Sequence, residues 1–404
     1  MLIFRQAVKR LLNILLKHTF NSDYIIDLNC IDGIYRNFEN RIATQSSSRY
    51  LWRSVCQCMC QSTARNSTVV LVSNIVAVLL LPATLVLLRV SPKSRMKDAT
   101  TKYLKIDFHP AYQIPMAIRD HTMEVNGLAK YLTLADFVYA IKLFATNRAF
   151  YPELLFKFML WIAKVRPYLD RYEIRYLIQY CEYSSYSSLR KHFLNHAGIG
   201  LANVSHGEEF ISCRSAFSSF DQYFAWDVTP KFIHEAMRVE YAERFTFNPC
   251  SDYGMAPKVF GKPVFGFLWP ALEDVDLDYL TTKLNCISGF CTVLIRPHPN
   301  IANSNQFSKF RPLLNANISD STSENIHTFI DRCSIIGGCL SAVLLQAAFR
   351  NRSVIYLNNS HLKSLKDYHE YYKKVEFVDL DRLDAFLHSW LDVQYETSRI
   401  GGST

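Results

Sequence analysis

The rhythm of apolar positions changes near residue 170. From Leu128 to Tyr168, Phe, Leu, Ile and Trp161 recur three and four residues apart, the spacing of a buried helix face. Beyond that point short apolar runs alternate with helical stretches. Strands are expected at Ile174–Cys181, Ile199–Val204 and Gln222–Trp226, with helices at Tyr186–Asn195 and Pro230–Met237. A turn-rich segment, Pro249–Pro257, reads as an interdomain linker. A second alternating set follows, with strands at Pro263–Leu268, Thr292–Arg296, Ala316–Ser319, Cys333–Ile336 and Ser353–Leu357. Helices near Asp274–Ile287, Phe307–Leu314, Ser321–Arg332 and Ser341–Phe349 separate them. Such alternation predicts an α/β chain of two doubly wound, Rossmann-like halves facing a cleft.

The amino-terminal part follows neither rhythm. Residues 1–20 mix Arg5, Lys9, Arg10 and Lys17 with Leu and Ile, as an interfacial helix does. Residues 21–66 are polar and show no pattern. Val69–Leu88 is uncharged, interrupted only by Asn74 and Pro82, and is followed by Arg89, Lys93, Arg95 and Lys97. That length suits a membrane span, an in-plane hydrophobic helix or a buried helix. If it spans, the basic residues set its carboxyl side in the cytoplasm. The domains expected are a helical, hydrophobic membrane-associated region at 1–98, an acceptor domain at 99–250 and a nucleotide-sugar donor domain at 258–395.

Composition narrows this picture. With 404 residues, 14% aromatic and 20% charged, the chain is a folded protein long enough for two cores. Its net charge of +9 fits an anionic ligand or an acidic membrane surface. The basic residues are scattered rather than blocked, so nucleic acid is not expected as a partner. The 11 cysteines, several in apolar runs, indicate a reducing compartment and free thiols. Cys56, Cys58 and Cys60 alternate without the two-residue spacers of a zinc site and read as surface thiols or sites of lipid attachment.

Candidate chemistry gathers at strand ends, where open α/β sheets bind ligands. Cys291–Asn300 carries Arg296, His298 and Pro299 just past a strand. An arginine fork beside a histidine suits a phosphate, and an arginine paired with an acid is the plainer alternative. Ser321 and Ser323 follow the next strand, and Ser321 with Glu324 reads as a helix cap. Gly337, Gly338 and Ser341 form a strand-to-helix turn whose N–H groups can meet a phosphate, or simply a tight turn. In the first half, His206 and Glu208 follow Ile199–Val204, and Glu182 follows Ile174–Cys181. Either carboxylate could act as a general base. Alternatively Glu182 caps the next helix and Glu208 pairs with Arg214.

Over roughly residues 170–360, these residues resemble the GT-B glycosyltransferases of bacterial surface-polysaccharide synthesis. The resemblance is nearest to capsule and lipooligosaccharide sialyl- and Kdo-transferases and more distant to CDP-glycerol glycerophosphotransferases. It implies that His298-Pro299 and Ser341 bind the donor's nucleotide phosphate, that His206-Gly207 is the amino-domain motif, and that an acid there is the base. The sialyltransferase acid-acid-Gly signature is not evident. Gln346 stands where many GT-B enzymes place a ribose-binding glutamate. The expected function is an inverting glycosyltransferase needing neither metal nor cofactor. It moves a sugar from a nucleotide donor, CMP-sugar favoured, to a glycan or lipid-linked glycan in surface polysaccharide synthesis. The expected place is the cytoplasmic face of the inner membrane, peripheral or single-span. Alternatives are a CDP-alcohol phosphotransferase of the teichoic-acid type and a catalytically silent scaffold subunit.

Overall fold

The computed structural model describes residues 28–43, 48–63, 67–89, 99–106, 114–180, 184, 186–205, 215–227, 229, 231–259, 261–269, 276–299, 301–302, 304–338, 341–357 and 375–400. The chain divides into two compact units, residues 1–247 and 248–404.

In the first unit, helices α1 (Leu28–Ile42), α2 (Ser48–Thr63) and α3 (Ser67–Leu80) lead through a 3₁₀ turn, Leu81–Leu87, to strand β1 (Ala99–Ile106). A short helix α4 (Met116–Arg119), β2 (Thr122–Val125), α5 (Leu134–Thr146), α6 (Pro152–Arg171) and β3 (Tyr172–Gln179) come next. The unit closes with α7 (Ser187–His196), β4 (Gly200–Val204), β5 (Ser219–Trp226), α8 (Lys231–Ala236) and β6 (Glu240–Phe247). The six strands pair in the order β2-β1-β3-β4-β5-β6, all parallel. The helical stretch expected from Leu128 to Tyr168 is two helices, α5 and α6. A capping box between Thr133 and Asp136 starts α5, and Asn74 Oδ1 accepts from the Glu153 N–H in the first turn of α6.

Residues 28–43 and 48–63, patternless by sequence, contribute to this unit's core. Leu51, Val55, Cys56 and Cys60 are fully buried among Phe217, Phe220 and Phe193. Cys56 and Cys60, expected at the surface, are one helical turn apart on the inward face of α2, and burial pushes the Cys56 thiol up to about 12. Arg53 on the same helix is 2% exposed. It donates to the carbonyl oxygens of Ser218 and Arg238 and pairs with Glu240 at 2.8 Å, fastening α2 to β5 and β6. Burial lowers the Arg53 pKa to about 10, with Glu240 opposing the shift.

Val69–Leu88 forms α3 and the 3₁₀ turn. Among the described residues no helix is long and apolar enough to cross a membrane. Ala77 is buried, and α3 packs along α6.

The second unit holds β7 (Val264–Trp269), α9 (Leu277–Ser288), β8 (Thr292–Pro297), α10 (Asn305–Phe310), β9 (Asn317–Ile318) and α11 (Ile326–Arg332). It continues with β10 (Ile335–Gly338), α12 (Ala342–Phe349), β11 (Ser353–Leu357), β12 (Val375–Val378) and α13 (Leu383–Ile400). The order β12-β11-β10-β7-β8-β9 is again wholly parallel. The α/β class and the two doubly wound sheets are as the apolar rhythm predicts. The segment Pro249–Pro257 is fastened to this unit. Arg350, 3% exposed, donates to the carbonyl oxygens of Gly254, Tyr253 and His327, and its own carbonyl accepts from Ala256.

Candidate functional site

In the second unit the chain starts at β7, runs outward through β8 and β9, then returns to the other side of β7 as β10. The order therefore reverses between β7 and β10, and it is beyond the strands' carboxyl ends at such a point that open α/β sheets bind ligands. In the register, Leu268 of β7 faces Gly338 on one side and Arg296 on the other.

Arg296 is not on an exposed loop. It is the fifth residue of β8 and 8% exposed, because the strand continues through Pro297. One guanidinium nitrogen donates to Ser319 Oγ at 2.9 Å and another to the Glu324 carbonyl oxygen at 2.7 Å. The group also lies 5.6 Å over the Phe329 ring. Burial lowers its pKa, while Glu324 and Asp320 oppose that shift. The paired-arginine alternative therefore describes its surroundings: Arg296 fixes the turn after β9 rather than presenting an open fork.

That turn is built by two carboxylates. Asp320 accepts from the Thr322 N–H and hydroxyl and from Ser323 Oγ at 2.6 Å, and these bonds hold its carboxyl below the usual range. Burial pushes the Glu324 carboxyl up, but bonds from Ser319 and Arg332 and the charges of Arg332 and Arg296 outweigh it and hold it low. The helix cap is Asn325, which accepts from the His327 N–H at 2.9 Å, and not Ser321. Ser321 is left with a buried hydroxyl that has no hydrogen-bond partner among the described residues.

His298 and Pro299 are exposed directly after β8, and the His298 carbonyl accepts from Ile301 and Ala302 at 2.9 and 3.0 Å. The β8–β9 ladder pairs Ile295 with Ile318 and extends to a bond from the Ser319 N–H to the Ile295 carbonyl.

Gly337 and Gly338 are strand residues, not the phosphate-facing turn expected. A side chain at Gly338 would stand 3.0 Å from Leu268 Cβ, and one at Gly337 would stand 2.8 Å from the Phe265 ring. Both are glycine because β7 and β10 approach closely. Ser341 caps α12, accepting from the Val343 N–H at 3.3 Å, so the helix opens at the switch-point edge. On the same helix Gln346 Oε1 is buried without a hydrogen-bond partner among the described residues.

In the first unit the order reverses between β1 and β3. Glu182, His206 and Glu208 lie outside the described residues; their strands, β3 and β4, end at Gln179 and Val204. The β3 edge carries a cationic cluster that sequence reasoning missed. Arg190 donates to Gln179 Oε1 at 2.8 Å and stands 4.4 Å over the Tyr186 ring. Burial pushes the Tyr186 phenol up, but Arg190, Ser184 and Lys157 outweigh it and bring the pKa below its ordinary value. Burial lowers the Lys164 pKa, and the charge of Arg190 adds to that fall. The available signal was Ser187-Ser-Leu-Arg190 opening a helix directly after a strand. A separate cleft of about 390 Å³ lies at the start of β4, lined by Arg175, Asn195, Gly200, Asp221 and Glu243, away from the carboxyl edge. Among the described residues no group of three or more His, Cys, Asp or Glu is gathered to hold a metal ion.

No family model and no curated protein matches the chain. Among solved structures it is similar to the glycosyltransferase of kitacinnamycin, at 8% identity and a TM-score of 0.40 over 72% of this chain and 89% of that one. MurG of Acinetobacter baumannii stands at 8% identity and a TM-score of 0.37, over 72% and 90% of the two chains. A variant of the wall teichoic acid polymerase TagF stands at 10% identity and 0.37, over 84% and 89%. Likenesses at this level carry no argument, and the reading of the site rests on its own geometry.

Proposed function

We propose that this chain is a glycosyltransferase that binds a nucleotide-sugar donor at the carboxyl edge of its second sheet and transfers the sugar, with inversion, to a glycan. One observation carries the reading. Exposed His298, the Ser321 hydroxyl, which has no hydrogen-bond partner among the described residues, and the Ser341-capped start of α12 follow β8, β9 and β10, at the carboxyl edge of one parallel sheet whose order reverses between β7 and β10. These groups donate hydrogen bonds, as a diphosphate or monophosphate leaving group requires. Arg296 acts as a positioning residue that holds the Ser321 turn.

A carboxylate from the first unit, Glu208 ahead of Glu182, removes the acceptor hydroxyl proton. The oxygen attacks the anomeric carbon, the bond to the donor phosphate breaks, and the departing charge is met by His298 and the α12 N–H groups. CMP-activated sugars are the favoured donors, and the acceptor is a glycan, lipid-linked at the cytoplasmic face of the inner membrane. Arg190 and Lys164 offer positive charge to an anionic acceptor in the first unit.

Thermal unfolding of the full chain with CMP, CDP, UDP or GDP tests the donor assignment. A nucleotide at a hundred times its Kd stabilises the native state by about 2.7 kcal/mol. A shift with CMP or CDP that shrinks in His298→Ala is expected. No shift with any of the four would sink the reading.

A further inference from the structure

Helix α3 and the 3₁₀ turn after it show the solvent a face that no described element covers. Leu71, Ile75 and Leu79 are 61%, 50% and 72% exposed, and Val86 in the turn is 83% exposed. Their spacing puts the α3 residues on one stripe. The opposite side is already used: Ala77 is buried, and Asn74 turns its amide to α6. The stripe continues onto α5. Leu88 bridges Leu132, with bonds from Arg89 N to the Leu132 carbonyl and from Leu132 N to the Leu87 carbonyl, both 2.8 Å. Two residues on, Leu134 is 66% exposed and Val138 52%, and the turn leaving α5 ends in Phe150 at 84%.

The charges around this face have one sign. From Ser67 to Leu88 there is no charged residue at all. From Asn126 to Phe150 the only acid is Asp136, 3% exposed and paired with Arg166. Lys130, Lys142, Arg148 and Arg89 are all exposed at its margin. Aliphatic side chains without hydrogen-bonding groups, ringed by cations and without an exposed acid, complement an anionic lipid surface. The helix is too short to span one: 14 residues reach about 21 Å against a hydrocarbon core of about 30 Å.

We propose that the face formed by α3, the Leu81–Leu87 turn, the exposed side of α5 and Phe150 docks in the plane of an anionic membrane. It seats aliphatic side chains at the acyl boundary while Lys142, Arg148 and Arg89 meet headgroup phosphates. The assignment does not depend on sugar transfer, and nucleotide binding by the second unit is scored separately.

Flotation of the full-length protein with neutral phosphatidylcholine vesicles, and with vesicles enriched in phosphatidylglycerol, tests it. The wild-type chain is expected to float with the anionic vesicles, less so as salt rises. Leu79→Glu with Val86→Glu should lower the bound fraction by roughly tenfold or more without moving the unfolding midpoint or nucleotide affinity, since both side chains already face water. Lys142→Glu with Arg148→Glu should erase the preference for anionic vesicles. A wild-type chain that ignores vesicles overturns the proposal. So does binding that survives both double variants, because the contact then lies elsewhere on the chain. A wild-type dimer that Leu79→Glu makes monomeric, with vesicle binding unchanged, assigns the face to a second copy and overturns it equally.

Discussion

Arg296 and Glu324 meet through the backbone before they meet through charge. A guanidinium nitrogen donates to the Glu324 carbonyl oxygen at 2.7 Å, whereas the nearest carboxylate oxygen is 3.9 Å away. The carboxylate is turned instead to Ser319 and Arg332. Arg296 therefore holds a turn in shape, and its loss is felt first in stability. Leaving a buried acceptor without its donor typically costs about 1–3 kcal/mol, and Arg296→Ala leaves the Glu324 carbonyl in that state. Arg296→Lys should recover little, because a point charge cannot bond Ser319 Oγ and a carbonyl together. Urea unfolding of the three proteins checks this. Full stability in Arg296→Ala would return the residue to ligand binding.

His298 and Ser321 should behave in the opposite way. His298 is exposed, so His298→Ala should shift stability by no more than about 0.5 kcal/mol, and Ser321→Ala, which removes a buried hydroxyl with no hydrogen-bond partner among the described residues, should not destabilise the chain. Each should weaken nucleotide binding, His298→Ala by roughly 10- to 100-fold as a charge-assisted bond disappears. Calorimetric titration with the nucleotide that stabilises the wild type measures both. Unchanged affinity in the two variants would move the donor away from this edge.

The contrast shows what sequence carries. Strands of the second sheet are legible because parallel strands buried on both faces read as plain apolar runs, such as Val293–Ile295 and Val354–Leu357. Strand β1 is not, because Lys105 interrupts it; that lysine is 1% exposed and paired with Glu124 of β2 at 3.1 Å. A partner 19 residues away cannot be seen in a window of apolar positions. Helix α2 hides for the same reason, since its inward face includes Arg53, Ser54 and Gln57. At the site, prolines and glycines marked the right strand ends. They did not reveal that Glu324 engages Arg296, or that Gly337 and Gly338 answer the rings and backbone of β7.

Acid should weaken both units through buried histidines. Burial, then the charge of Arg350, brings His327 down to about 4, and the ring stacks 3.4 Å from Tyr253. A folded pKa below the unfolded value of about 6.5 means the unfolded chain binds the proton first. The contribution is complete above pH 6.5, falls as pH drops toward 4, and levels off below. His192 is shifted the same way, by burial and then His196. Glu324 and Asp320 are held low and lose their contributions only in more acid solution. His327→Phe keeps the stack and should flatten the dependence of the urea midpoint between pH 4.5 and 6.5, and His192→Phe should flatten it further. An unchanged slope in the double variant would assign the acid sensitivity to other groups.

The base is the last prediction, and the topology sharpens it. The first sheet reverses between β1 and β3, and Glu182 follows β3 by three residues, whereas Glu208 follows β4, one strand further out. Glu208 lies two residues past His206, with Gly207 between them. Glu182 lies five residues before the helix that begins at Ser187, whose N-cap is Tyr186. Loss of a general base lowers turnover by roughly 10²–10⁴-fold while the donor still binds. That pattern is expected for Glu208→Gln, with a smaller or stability-linked loss for Glu182→Gln, measured by single-turnover transfer alongside nucleotide affinity. A dead but well-folded Glu182→Gln beside a working Glu208→Gln would assign the base to the strand that borders the switch point. Near-normal turnover in both would leave His206 as the group that takes the proton.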